Sequence, residues 1–321
     1  MKPLALVALL FLAVTARADD VQEAAVRAGA AAPDNASPSS PGAQATPDQV
    51  LSAWARDCPA LADFIASKGA PSPKRGVGVP YDVGNAGEIV GRLGPSWYYT
   101  WGTKPVADTT VEFTPMIHHA GSAGDAESNL RELGQLRPPP RFVLAYDEPD
   151  LAHVSPEDKT WAKSYAPRLP SGASSVSPAS SSVNDWFNEF IKSDGAREFP
   201  AVAIHLYEDV QENDPDAVDH AVADFERRMA LVEAAQKPVW VTEFGLKTTN
   251  ATKEDPAKFT DAQAACFMAR VIPYLEKHSA RYAWFSPAPD SQTPRYETLP
   301  DSLWNRDGSM TPLGELYRQE R

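Results

Sequence analysis

From Lys74 onward, apolar and polar positions follow two alternating rhythms. Short runs rich in β-branched and aromatic residues read as buried strands: Gly76-Val79, Trp97-Trp101, Val111-Met116, Phe142-Tyr146, Ser174-Ser177, Ala201-His205, Val239-Thr242 and Tyr282-Phe285. Longer stretches between them carry helical spacing. Leu130 and Leu133 belong to one. Val218, Val222, Phe225, Met229 and Val232 form an apolar stripe on another. Ser155 before Pro156 reads as a helix start, as does Thr260 with Gln263 three residues on. Pro273 should disturb the second of these helices. Eight strands alternating with helices predict the α/β class and a single (β/α)8 TIM barrel. A doubly wound open sheet is the alternative. It calls for a glycine-rich turn leading into a helix, whereas Gly76-Val77-Gly78 runs on toward Pro80.

The stretch before Lys74 is organised differently. Lys2, the apolar run Leu4 to Val14 and Ala16-Arg17-Ala18 spell a signal peptide over 1–18, too short to span a bilayer. Residues 19–47 are rich in Ala, Pro and Ser and read as a flexible leader. Residues 48–73 read as a helix and linker packed on the barrel, with Val50, Leu51, Trp54, Leu61, Phe64 and Ile65 as its apolar face. Pro71-Ser72-Pro73 ends it. Residues 74–321 are then expected to form the barrel. The expectation is a secreted, extracellular monomer, within reach of a cell wall and free of the membrane once the signal is cleaved.

The formal net charge of −13 argues against nucleic acid or an anionic membrane as partner, and suits a neutral polysaccharide. Cys58 and Cys266 are the cysteines of the chain. In an oxidising compartment they could pair; two separate buried thiols are the equal alternative. Asn35-Ala36-Ser37 and Asn250-Ala251-Thr252 are glycosylation sequons, relevant in a eukaryotic host.

Candidate chemistry sits at the strand ends. Leu144-Ala145-Tyr146-Asp147-Glu148-Pro149-Asp150 passes from a buried strand into acids and a proline. Val239-Trp240-Val241-Thr242-Glu243-Phe244-Gly245 repeats that design. Alone, Asp-Glu-Pro-Asp reads as an acidic surface turn. Placed after a buried strand and matched by a second such site, it reads differently. Glu148 and Glu243 would close strands four and seven, and strand ends converge on one cleft in such a barrel. Two facing carboxylates are what glycoside hydrolysis needs. Trp97, Tyr99, Trp101, His118, His119, His205, Tyr207, Trp284 and Phe285 cluster at the same ends, where flat rings stack on sugars. Two other chemistries are weaker. The histidines form no His-Glu-x-x-His metal motif. Gly172-Ala173-Ser174-Ser175-Val176 lacks the second glycine of a nucleophile elbow. No metal and no cofactor is expected.

These motifs resemble glycoside hydrolase family 128, a family of β-1,3-glucanase-like catalytic domains. The resemblance runs from about Lys74 to Tyr317. It rests on Trp97-Tyr98-Tyr99-Thr100-Trp101, Phe113-Thr114-Pro115-Met116, the two acidic strand ends, His205-Leu206-Tyr207, Arg281-Tyr282-Ala283-Trp284-Phe285 and Asn305 to Gly314. It implies a (β/α)8 barrel and a retaining mechanism without cofactor. Glu148 takes the place of the acid/base and Glu243 that of the nucleophile. Four positions depart from the family pattern: Asp147 and Thr100 stand where it has Asn, His118 and Leu206 where it has Trp. The expectation is that all four lie on the cleft side. Asp147, Tyr99, Trp101, His118, His205, Tyr207 and Trp284 are expected to contact a β-glucan. A carbohydrate-binding or cell-wall-associated protein on the same barrel is the rival reading.

Overall fold

The structure, a computed structural model, describes residues 45–67, 71–80, 85–118, 123–156, 165–210, 214, 216–247, 259–285, 301–305 and 307–318. All belong to one compact unit, Ala45–Arg321. The expected signal peptide, most of the leader, both sequon asparagines and His119 lie outside the described residues.

Eight parallel strands form one sheet: β1 Arg75–Gly78, β2 Trp97–Tyr99, β3 Glu112–Phe113, β4 Phe142–Leu144, β5 Ser174–Ser180, β6 Ala201–Asp209, β7 Val239–Lys247 and β8 Arg281–Trp284. Their order is β3-β2-β1-β8-β7-β6-β5-β4. The two edges meet through a parallel bridge between Met116 and Leu144, with Ile117 N donating to Leu144 O at 3.0 Å. The expected barrel is the fold found. β3 is confined to Glu112–Phe113 and β5 runs on to Ser180, whereas β1, β2, β4 and β8 keep close to their predicted places. β6 and β7 run several residues beyond them, so Glu243 and His205 lie inside strands and not at their ends.

The single helix predicted within residues 48–73 is two helices, α1 Pro47–Trp54 and α2 Pro59–Ala66. Thr46 caps α1 in a capping box with Gln49. Pro59 sits at the start of α2, where its missing N–H is harmless but the preceding turn cannot continue. Further on come α3 Ala86–Leu93, α4 Ala123–Gln135, α5 Asp185–Phe190, α6 Asp194–Arg197, α7 Ala217–Glu233, α8 Asp261–His278 and α9 Pro312–Tyr317. Helix α8 starts at the predicted Thr260 capping box but continues through Pro273. Pro273 is exposed, while Val271, Ile272 and Leu275 beside it are buried. Three such side chains contribute about 2 kcal/mol each, which outweighs the roughly 3 kcal/mol cost of an interior proline. The helix predicted from Ser155 falls mostly outside the described residues. Among the described residues no helix is long and apolar enough to cross a membrane.

Cys58 and Cys266 are joined in a disulfide, with Cα atoms 6.0 Å apart and 208 residues between them in sequence. It ties the start of α2 to α8.

The barrel interior is filled by large rings on some strands and small residues on others. Trp97, Tyr99, Phe142 and Trp240 pack against Ala179, Ala201, Ala203 and Ala283. Gly76 and Gly78 of β1 make room for two of those rings. A Cβ on Gly76 would sit 2.2 Å from the Trp97 ring, and one on Gly78 2.8 Å from that of Tyr99. This is the physical reason for the Gly-x-Gly that resembled a phosphate turn. At the amino-terminal end, Arg281 lies over the rings of Trp97, Phe142 and Trp240 and pairs with Glu112 at 2.9 Å. That stack closes the floor. Among the described residues this leaves the carboxyl-terminal end for a cleft.

Candidate active site

The carboxyl-terminal end of the sheet gathers acids, imidazoles and phenols around His205. Strand β6 alternates regularly: Ala203 faces inward, Ile204 outward, His205 inward, Leu206 outward and Tyr207 inward. Strand β7 does not. Ile204 pairs with Val241, but the next residue, His205, pairs with Glu243. Thr242 is thus an extra residue, and the pairing with β8 shows the same shift between Val241 and Phe244. Strict alternation from the inward Trp240 would turn Glu243 toward the helices. The bulge turns it into the barrel beside His205.

Glu148 reaches the same place from a strained backbone. The chain leaves β4 with Glu148 at φ +40. A non-glycine residue pays about 1–2 kcal/mol for this conformation. Hydrogen bonds hold it: Glu148 N donates to Ala179 O at 2.9 Å, and Leu151 N donates to Glu148 O at 3.0 Å. Asp150 anchors the turn by accepting from Ser181 and from Asn184 Nδ2 at 2.7 Å. Asp150 is structural, and Glu148 is left facing the cleft with its side chain 30 % exposed.

His205 Nδ1 lies 3.0 Å from Glu148 Oε1 and 3.4 Å from Glu243 Oε2. These two carboxylate oxygens are therefore no further apart than those contacts laid end to end. Tyr207 donates its hydroxyl to Glu243 Oε2 at 2.5 Å, and Tyr99 donates to Glu243 Oε1 at 3.2 Å. Burial is the main force on Glu243 and pushes its carboxyl up to about 7; Asp147 and Glu148 add to this, while His205 and Tyr207 oppose it. Burial alone would strip the proton from His205. The surrounding carboxylates, Glu243 first, outweigh it and hold the imidazole up at about 9. Near neutrality the ring is an imidazolium set between the two glutamates.

The remaining expected contacts divide. Asp147 lies beside the glutamates, and His118 Nε2 is 3.7 Å from its Oδ2. Trp101 is half-buried and packs edge-on against Tyr99 and Phe285. Tyr99 is buried, so its ring is no sugar platform; its hydroxyl holds Glu243 instead. Trp284 is fully buried on the helix side against Phe244 and Phe267, which corrects its expected role as a subsite wall. Phe285, the next residue, faces inward with Trp101 and Tyr207. Two-residue alternation counted from Ala283 would have found it. Two of the four departures are also corrected. Leu206 is buried among the residues facing the helices. Thr100 is buried and donates to Lys104 O at 3.0 Å. His118 and Asp147 remain on the cleft side.

Asp147, His205 and Glu243 each offer one ligand-type atom, all within 4.8 Å of one another. A cation there would compete with the proton that the three carboxylates hold on His205.

A family model described as glycosyl hydrolase catalytic core matches residues 78–317. Among curated protein sequences no relative matches this chain. Solved structures do. A mutant of a GH128 subgroup I endo-β-1,3-glucanase from Amycolatopsis mediterranei, in complex with laminarihexaose, is 24 % identical with a TM-score of 0.59, covering 77 % of this chain and 99 % of its own. A GH128 subgroup V exo-β-1,3-glucanase from Cryptococcus neoformans is 22 % identical with a TM-score of 0.58, covering 77 % and 100 %. A GH128 subgroup VII oligosaccharide-binding protein from Trichoderma gamsii is 18 % identical with a TM-score of 0.54, covering 78 % and 94 %. These likenesses agree with the barrel, and the match of the family model over most of the chain carries the assignment: the chain belongs to the glycosyl hydrolase catalytic core family and is a glycoside hydrolase.

Proposed function

We propose that the protein is an exported, retaining glycoside hydrolase that cleaves β-1,3-glucan. The observation that carries this reading is the single imidazole contacting both glutamates, 3.0 Å from Glu148 and 3.4 Å from Glu243. Retaining enzymes hold their two carboxyls about 5–5.5 Å apart, whereas inverting enzymes leave about 6.5–9.5 Å for a water. A shared imidazole contact supports the shorter spacing. Glu148, the more exposed of the two, protonates the leaving oxygen and later activates water. Glu243, buried and gripped by two phenol hydroxyls, attacks the anomeric carbon and forms the glycosyl–enzyme bond. Trp101, Phe285 and Tyr207 would form the aromatic wall. The substrate class is supported by the fold shared with β-1,3-glucanases from Amycolatopsis and Cryptococcus. Export is consistent with the disulfide, a bond of oxidising compartments.

The rival, an oligosaccharide-binding protein, has one observation in its favour: the Trichoderma neighbour is of that kind. Glu243→Gln separates the two readings. Product release from β-1,3-glucan should fall at least about 1,000-fold while binding of laminarioligosaccharides by calorimetry persists. A wild-type protein that releases no product from β-1,3-, β-1,4- or β-1,6-glucan, yet binds as well as the variant, establishes the binding protein. For an active wild type, proton NMR of the first-formed anomer decides between retention and inversion.

A further inference from the structure

Both departures that remain on the cleft side, His118 and Asp147, lie on one path with His205 and the glutamates. His118 Nε2 is 3.7 Å from Asp147 Oδ2, and Asp147 Oδ1 is 3.6 Å from His205 Nε2. His205 Nδ1 then meets Glu148 and Glu243. Asp147 Oδ1 and His205 Nε2 are both buried and have no hydrogen-bond partner among the described residues, yet they face each other. A buried donor and a buried acceptor left open are costly, and a small approach of the carboxylate closes the gap.

We propose that Asp147 is a positioning residue whose carboxylate holds the His205 ring between Glu148 and Glu243, with His118 steadying its outer oxygen, and that it does not read the sugar. The donor count supports this. A neutral imidazole has one N–H and an imidazolium has two. Only the imidazolium can donate from Nδ1 toward the glutamates and from Nε2 toward Asp147 at once. An amide in place of Asp147 could accept from Nε2 but would bring no charge to keep the second proton there. Among the described residues, the charged groups facing His205 are Asp147 and Glu148 after β4 and Glu243 on β7. Tyr207 of β6 stands edge-on to the ring, and Tyr99 of β2 approaches through Glu243. The carboxylates, Asp147 among them, offset the burial that would otherwise empty the ring of its second proton. The ring so held donates Nδ1–H to Glu148 as Glu148 gives its proton to the leaving oxygen and becomes a carboxylate.

The part played in turnover rests on the proposed roles of Glu148 and Glu243; the state of the His205 ring does not. The test therefore has two arms. Full-length protein with 15N-labelled histidine is titrated by NMR as wild type, Asp147→Asn and Asp147→Ser, with His205→Asn to assign the ring. In parallel, kcat and KM on soluble laminarin are measured against pH, with circular dichroism to check folding. In both Asp147 variants the His205 midpoint should fall by about one pH unit or more, the scale of losing an adjacent opposite charge. In the kinetic arm, kcat should fall about tenfold with KM changed less than about threefold, and the alkaline limb should move toward acid. A His205 midpoint unmoved in both variants overturns the proposal. So does a raised KM with kcat retained, which would place Asp147 against the sugar.

Discussion

Glu243 faces the cleft because β7 carries one extra residue at Thr242. Without that bulge the residue would turn toward the helices, and its partners His205, Tyr207 and Tyr99 would face an empty position. Tyr99 is doubly placed, since its hydroxyl meets both the Thr242 carbonyl at 3.1 Å and the Glu243 carboxylate. Tyr207 acts on Glu243 directly, and its hydrogen bond favours the ionised form. Tyr207→Phe removes that preference. Glu243 should then hold its proton to higher pH, so the acidic limb of kcat/KM should move alkaline. The accompanying loss in kcat/KM should be about tenfold or more, the worth of a hydrogen bond to a charged group. A pH–rate profile of the variant on laminarin checks both. An unmoved acidic limb would show that Tyr207 does not touch the nucleophile in the working enzyme.

At the scale of elements, β1 and β2 form one device. Glycines at 76 and 78 leave the space that Trp97 and Tyr99 occupy, and this sets the height at which the Tyr99 hydroxyl meets Glu243. The floor below is closed by Arg281 within its three rings. Helices α2 and α8 form a second device, joined by Cys58–Cys266 across 208 residues. Closing a loop of that length restricts the unfolded chain by up to about 5 kcal/mol. The double variant Cys58→Ala, Cys266→Ala should therefore lose several degrees in Tm by calorimetry. Its kcat at 20–25 °C (roughly the usual assay range) should be kept, because neither cysteine touches the cleft. A Tm equal to wild type would remove the disulfide from the stability of the fold. The helix pattern around Thr260 was legible because a capping box is local. The continuation of α8 through Pro273 was not, because the packing that overrides a proline is contributed by other segments.

Across the whole molecule, buried ionisable groups bias stability toward acid. Glu208, on the outward face of β6, is pushed up to about 7 mainly by burial, against the opposing pull of Arg228. Glu243 is raised to about the same value. A carboxyl whose folded value is raised binds its proton more tightly when folded. Between its ordinary value near 4.5 and about 7, stability then falls as pH rises. His205 is raised to about 9, so its contribution is complete below about 6.5 and is lost as pH passes through 9. The formal charge of −13 acts in the same direction through self-repulsion. Thermal unfolding should give its highest Tm near pH 5 and a steady fall toward pH 9 (pH values approximate, about half a unit). A Tm rising from pH 5 to pH 8 would contradict the burial of Glu208 and Glu243. What the sequence alone determined was the repeating strand–helix rhythm, the two acidic motifs on strands four and seven and the aromatic setting around them. Those are properties of neighbouring residues, written in periods of two and three to four and in the residues that break them. The pairing of Cys58 with Cys266, the inward turn of Glu243, the exchange of Trp284 for Phe285 and the removal of Thr100 and Leu206 from the cleft were decided by tertiary structure alone. Each depends on which strand lies alongside, and at what register, and that partner is far away in the chain.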